Sequence, residues 1–226
     1  MPSETTLPRR PRGRPPRGGD GFADTRALLI RHGIELLTER GVSATGLDAV
    51  LRLAGVPKGS FYHYFSSKDD FVRAILEDYA DYLLARLERT LGDPARSPLG
   101  GLQAFVDEAC EGVARFDFRR GCLVGNLGQE VGCLEAPLRE QLESIFCRWE
   151  ARLADCLRAA MAAGEIPAGS DCQALAHVFW VGWEGAILRA RLMRSTAPMR
   201  AFFQLFLATL GHHRGVATMQ SNPSAG

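Results

Sequence analysis

The sequence holds no apolar run near the roughly 18 residues that a membrane helix needs. Its basic N-terminal stretch is not followed by the apolar segment of a secretory signal. Cysteines stand at positions 110, 122, 133, 147, 156 and 172 without a CxxC pair, which removes the paired zinc-ligand and thioredoxin-like motifs. The histidines, His32, His63, His177, His212 and His213, form no HExxH, so no metal and no cofactor is expected. The glycines at 121, 125 and 128 lack the Lys-Ser/Thr ending of a phosphate-binding loop. Lysine is confined to Lys58 and Lys68. These absences leave a chain expected in the reducing cytoplasm, near the nucleoid, with free thiols and no membrane span.

What is present is an ordinary globular composition of 226 residues, 46% hydrophobic and 23% charged, enough for one substantial core or two packed domains. The net charge of +1 hides an asymmetry. Residues 1–70 carry eleven Lys/Arg against eight Asp/Glu, or +3, which leaves −2 for the remainder. Much of the excess lies between Arg9 and Arg17, inside a Pro/Gly/Arg-rich stretch that has little apolar surface to bury. Residues 1–21 therefore read as a disordered basic arm, and 214–226 as a disordered tail.

From Asp24 the texture turns helical, with Ala27, Ile30, Ile34 and Leu37 spaced along one face and Gly41 ending the run. Thr45 with Asp48 resembles a capping box for a short second helix carrying Leu47, Val50 and Leu51. Gly55 interrupts it, Pro57 suits the start of a third helix over Lys58–Phe65, and Ser67 with Asp70 opens a long fourth one to about Leu91. Phe71, Ile75, Tyr79, Tyr82 and Leu83 supply the inner side of that helix. Further helical segments read as 99–117, 122–132, 135–163, 171–193 and 197–213, with Ser170 and Gln173 a further capping pair. No period-two alternation is sustained. The fold class is all-α: a three-helix helix-turn-helix domain at 22–70, then a helical ligand-binding and dimerisation domain at 71–213.

Two short helices joined by Ala54-Gly55-Val56 have the size of a helix-turn-helix, whose second helix presents its N-terminal residues to the major groove. The stretch that follows, Val56-Pro57-Lys58-Gly59-Ser60-Phe61-Tyr62-His63-Tyr64-Phe65 and then Ser67-Lys68-Asp69-Asp70-Phe71, resembles the recognition region of TetR-family repressors. That resemblance implies double-stranded operator DNA as partner. Gly59 and Ser60 would lie near base edges, Tyr62 and His63 on phosphates, and Phe61 and Phe65 in the core. Small residues permit close groove approach, while Lys58, Tyr62, His63 and Lys68 offer phosphate donors and Thr45 joins them as a candidate. In the arm, Arg12-Gly13-Arg14-Pro15 resembles an AT-hook core, which fits a narrow minor groove, although a short basic tail also serves as a nonspecific tether.

The resemblance continues into the second half. Phe118–Glu130 and Phe179–Ala190 are similar to the AcuR-type branch of the family, which implies a small-molecule effector such as acrylate or an acryloyl compound. Such a ligand needs a cation for its carboxylate, an apolar wall and, for covalent capture, a thiolate. Arg189, Trp180, Trp183 and Cys122 are the candidates, with Cys122 beside Arg119 and Arg120 at a helix start that would lower its pKa. Buried cysteine packing as a small hydrophobe is the other reading. A related electrophile-sensing branch couples its cysteine to a lysine, but the nearest counterpart here is Arg191, whose guanidinium stays protonated and cannot make that bond. The competing functions are a cysteine-dependent enzyme, with Cys122 as nucleophile and His177 as base, and an architectural DNA-binding protein. The first lacks an orienting acid, and the second has no use for a large apolar helical domain. A homodimer is expected, built by the last two helices through Leu175, Phe179, Ile187, Phe202, Phe203, Phe206 and Leu210.

Overall fold

The computed structural model describes residues 20–130 and 136–212. Among them are nine helices and no strand: α1 (Asp20–Arg40), α2 (Leu47–Ala54), α3 (Lys58–Phe61), α4 (Lys68–Leu91), α5 (Pro98–Arg115), α6 (Leu123–Gly128), α7 (Ala136–Ala162), α8 (Cys172–Met193) and α9 (Ala197–His212).

Local chemistry sets most of the boundaries. Ser67 caps α4 by accepting from Asp70 N at 3.0 Å, while the Asp70 carboxylate turns back to Ser66 N (2.8 Å) and Ser66 Oγ (2.9 Å). The expected box is thus half formed, displaced by one residue on its acidic side. Ser97 caps α5, and Pro98 occupies its first turn, where a missing N–H costs nothing. Two expected caps move. The cap of α2 is Gly46, because the Thr45 hydroxyl donates instead to Gly41 O at 2.6 Å. Asp171 caps α8 in place of Ser170, whose hydroxyl donates to Pro167 O. The third helix is shorter than its sequence signal, ending at Phe61 and continuing as turns through Tyr64.

Helices α1, α2 and α3 pack around Phe61, Phe65 and Phe71, whose ring centroids lie 4.7–5.4 Å apart, so the first turns of α4 close the small core. The buried stripe of α1 is Leu29, Ile30, Leu36 and Leu37, and Ala27 is exposed. Helix α4 then runs on against α5 and α7, and α8 lies against α7 and α9. The second core is aromatic: Trp149 and Trp180 sit 5.1 Å apart, and Phe179 stacks on Trp183 at 5.6 Å. Helix α4 contributes buried side chains to both cores. Tyr82 departs from the expected inner face and is 61% exposed.

Candidate functional site

The helix-turn-helix is built at Gly55, whose φ of 64° and ψ of 25° place it in the left-handed region that a Cβ would strain. That conformation lets Val56 N donate to Leu51 O at 3.0 Å and aims the chain into α3. Pro57 precedes α3, and Phe61 is fully buried beneath it. With the anchor inside, Lys58, Gly59, Tyr62, His63 and Lys68 are exposed and Ser60 is half-buried. A Cβ at Gly59 would meet nothing, so the surface there is open for close approach. Lys58 Nζ lies 3.0 Å from Asp48 Oδ1, but both side chains are about two-thirds exposed. Such a pair is worth well under about 1 kcal/mol, so the ammonium is free to exchange its partner. Thr45 does not belong to this surface: it is buried and its hydroxyl is spent on Gly41 O. Arg12 and Arg14 lie outside the described residues.

The second site is a cavity of about 510 Å³ among α1, α4, α5, α8 and the segment before α6. Its wall is mostly apolar and aromatic, including Leu83, Phe105, Val113, Trp180, Trp183, Ile187 and Met199. The expected Trp180, Trp183 and Cys122 all line it. Arg189 does not. It sits on the exposed side of α8 with its guanidinium 3.9 Å from Met193 Sδ, since positions 180, 183, 184 and 187 share one helical face and 189 falls on another. The cations at the wall are Arg31, Arg86 and Arg120. Arg86 pairs with Glu108 at 3.2 Å, and Arg120 pairs with Glu39 at 3.0 Å while lying 4.2 Å over the Phe116 ring.

Sequence reasoning passed over the polar centre of this cavity, Glu184. A lone acid in the apolar stretch Val178–Leu188 was the available signal. Glu184 keeps some accessible surface on the cavity wall, yet its Oε1 is buried without a partner, as is Trp180 Nε1. Burial pushes the Glu184 carboxyl up to about 7, partly offset by the hydrogen bond from Cys122. Room for that carboxylate exists because residue 125 is glycine: a Cβ there would collide with Glu184 Oε2.

Cys122 caps α6, its Sγ accepting from Gly125 N at 3.5 Å. Its thiol is not activated. Burial, reinforced by the Glu184 charge, holds it well above the usual thiol range, and these outweigh the helix-end amides that the sequence pointed to. Burial likewise raises Tyr79, which lies by the same cysteine and glutamate. His177, the base of the competing enzyme reading, is exposed, pairs with Glu150 at 2.9 Å and does not line the cavity. Among the described residues no cluster of His, Cys, Asp or Glu is placed to hold a metal ion.

The segment around α6 joins this cavity to the reading head. Asn126 Nδ2 donates to Thr38 O at 2.9 Å, and Arg191 Nη1 holds Asn126 Oδ1 at 2.8 Å. The Glu130 carboxylate accepts from Val42 N and Ser43 N, each at 2.8 Å, and from Ser43 Oγ at 2.5 Å. Glu130 and Asn126 were not singled out from sequence, because their partners are nearly ninety positions away.

On α8 and α9 the exposed large apolar side chains are Val178, Val181, Leu188, Leu192, Met193 and Leu205. These differ from the expected dimer residues. Leu175, Phe179, Ile187, Phe203, Phe206 and Leu210 are buried within the protomer, where the tryptophans need packing partners.

Residues 29–75 match the family model for bacterial regulatory proteins of the tetR family, and residues 98–206 match that for the tetracyclin repressor-like C-terminal domain. The chain is 46% identical to the transcriptional regulator AcuR of Cereibacter sphaeroides, over 89% of this chain and 92% of that protein. It is 30% identical to the transcriptional repressor DhaR of a Mycobacterium species, over 82% and 91%. Among solved structures it is similar to a TetR regulatory protein from Rhodobacter sphaeroides (47% identity, TM-score 0.79, 81% of this chain and 97% of that one). The reduced form of Escherichia coli NemR is also similar, at 29% identity and TM-score 0.75, over 81% and 95%. No enzyme is among these matches, and the helix-turn-helix, the helical second core and both family models agree that the chain belongs to the TetR family of DNA-binding transcriptional regulators.

Proposed function

We propose that this protein is a homodimeric repressor, released from a palindromic operator when a small molecule fills the 510 Å³ cavity. The observation that carries this reading is the composition of the cavity wall. Arg31, Ile34 and Thr38 come from α1 and Tyr79, Tyr82, Leu83 and Arg86 from α4, the two helices that also hold the reading head, while Trp180, Trp183 and Glu184 come from α8. An occupant therefore touches both units, and it can bias their relative placement by as much as its affinity differs between the two arrangements.

In this reading Lys58, Tyr62, His63 and Lys68 hold phosphates, Gly59 and Ser60 approach base edges, and α1–α3 with the start of α4 form the DNA-reading unit. Arg12 and Arg14 of the arm add minor-groove contacts. The apolar face of α8 and α9 pairs with its copy across a two-fold axis, which sets two reading heads about one helical turn apart or a multiple of it. The similarity of the 118–130 and 179–190 segments to the acryloyl-responsive branch makes acrylate and its thioesters the first effectors to try. Footprinting on the operator, repeated with these compounds, tests the reading: protection of a palindrome that is lost on adding effector is expected. Protection unchanged by any small acid or thioester refutes release from this cavity.

A further inference from the structure

The end of α1 is completed by side chains from a distant part of the chain. Gly41 leaves the helix at a φ of 81°, and Val42 N, which another turn would have sent to Thr38 O, donates to Glu130 instead. The Thr38 carbonyl left over accepts from Asn126 Nδ2 at 2.9 Å. On its other side Asn126 meets Arg191, whose Nη1 donates to Asn126 Oδ1 at 2.8 Å. A carbonyl only accepts and a guanidinium only donates, so a single orientation of the amide satisfies both. Arg191 Nη2 donates in turn to Arg119 O at 3.1 Å. Two glycines make the room: a Cβ at Gly41 would collide with Glu130, and one at Gly121 would press on the Arg191 side chain. A directed chain of hydrogen bonds therefore runs from the last turn of α8, through α6, to the last turn of α1, which the loop 41–46 joins to α2.

We propose that Arg191 and Asn126 are positioning residues for operator binding: they fix the attitude of the reading head on α8, and with it the half-site separation that the dimer accepts. The proposal rests on the repressor reading, in which α8 and α9 meet their copies across a two-fold axis and form the fixed frame. Neither residue lines the cavity, and both stand outside α1–α3, so each acts through α1 without touching DNA or effector. Arg120, through Glu39 at 3.0 Å, and Glu130 tie the same end of α1 to the α6 segment, and Arg191 carries the tie on to α8. Along its length α1 also rests on α4, with Gly33 against Ile75 and Phe71. Apolar contact is non-directional and tolerates a small rotation, whereas an amide held between a carbonyl and a guanidinium loses its bonds when the angles change. One base pair added between half-sites moves one of them about 3.4 Å along the axis and about 35° around it. A head held by this chain does not follow that displacement, and a released head follows part of it.

Selection from random-sequence duplexes with the full-length protein supplies the paired half-sites. Fluorescence-anisotropy titrations then compare the selected spacing, spacings with one base pair added or removed, and a single half-site. Asn126→Asp is the sharpest variant, because it keeps a partner for Arg191 while setting an acceptor against Thr38 O. The preference for the selected spacing over the altered ones should fall about tenfold in Asn126→Asp and in Arg191→Met, with single half-site affinity unchanged. Asn126→Ala combined with Arg191→Met should match Asn126→Ala alone, since the two residues act in one chain. Partial unfolding would lower every affinity by one factor and leave the ratio between spacings as it was, and circular dichroism checks that each variant folds. A wild-type spacing preference in Asn126→Asp and Arg191→Met, or a half-site affinity that falls as far as the operator's, would overturn the proposal while the repressor reading stands. If selection returns no paired half-sites, both fall together.

Discussion

Replacing Glu130 with Ala removes the carboxylate that ties the segment around α6 to the loop between α1 and α2. It accepts two backbone N–H groups at 2.8 Å and the Ser43 hydroxyl at 2.5 Å. Bonds to a charged acceptor are worth about 1.5–3 kcal/mol each at most, but Ser43 is exposed, so water takes over part of the loss. A net cost of about 1–3 kcal/mol follows, and for a chain of this size that corresponds to a fall in Tm of about 2–12 °C. The pH dependence supplies the sharper check. Partial burial raises the Glu130 carboxyl, but the Ser43 and Val42 hydrogen bonds outweigh it and leave the group below its ordinary value. A carboxylate lowered in the folded state adds stability above its unfolded value of about 4.3 and loses it as pH falls through the folded one. Thermal unfolding monitored by circular dichroism should therefore show the largest gap between wild type and Glu130→Ala at neutral pH, closing in acid. A variant that melts with wild type at neutral pH, or a gap of equal size well below about pH 3, would refute the reasoning.

Three further outcomes follow from the same geometry. Lys68→Ala should weaken operator and nonspecific DNA alike and lower the salt slope by about one, read by titrations at several salt concentrations; loss confined to the operator would contradict a phosphate contact. Leu188→Glu places a charge on the exposed apolar face of α8 and should shift sedimentation toward monomer, whereas an unchanged dimer would move the interface elsewhere. Maleimide mapped by mass spectrometry should label exposed Cys147 while Cys122 stays unmodified in the native protein; rapid labelling of Cys122 would mean that burial and Glu184 do not suppress its thiolate.

The helices, their order and the recognition region were legible in the chain because their causes are local. Apolar spacing, Ser67 at the start of α4, Gly55 at the turn and Pro57 before the third helix each act within a few residues. Burial of Phe61 and Phe65 beneath exposed Tyr62 and His63 is what the resemblance of this stretch to the family's recognition region implied. Caps were less secure, since Thr45 and Ser170 have two local partners each and the neighbouring backbone decided between them. The cavity was only half legible. Trp180, Trp183 and Cys122 were recognisable by type, but which face of α8 meets the cavity depends on how α4, α5 and α8 pack, and that packing turned Arg189 outward and Glu184 inward. The state of Cys122 reversed for the same reason: a helix end and two arginines favour a thiolate in sequence, whereas burial beside Glu184, contributed from 62 positions away, keeps the proton on sulfur. Sequence alone thus determined the helical elements and the helix-turn-helix, both made by neighbours along the chain. Tertiary structure decided the lining of the cavity, where desolvation and long-range pairing set the charges that a linear pattern does not carry.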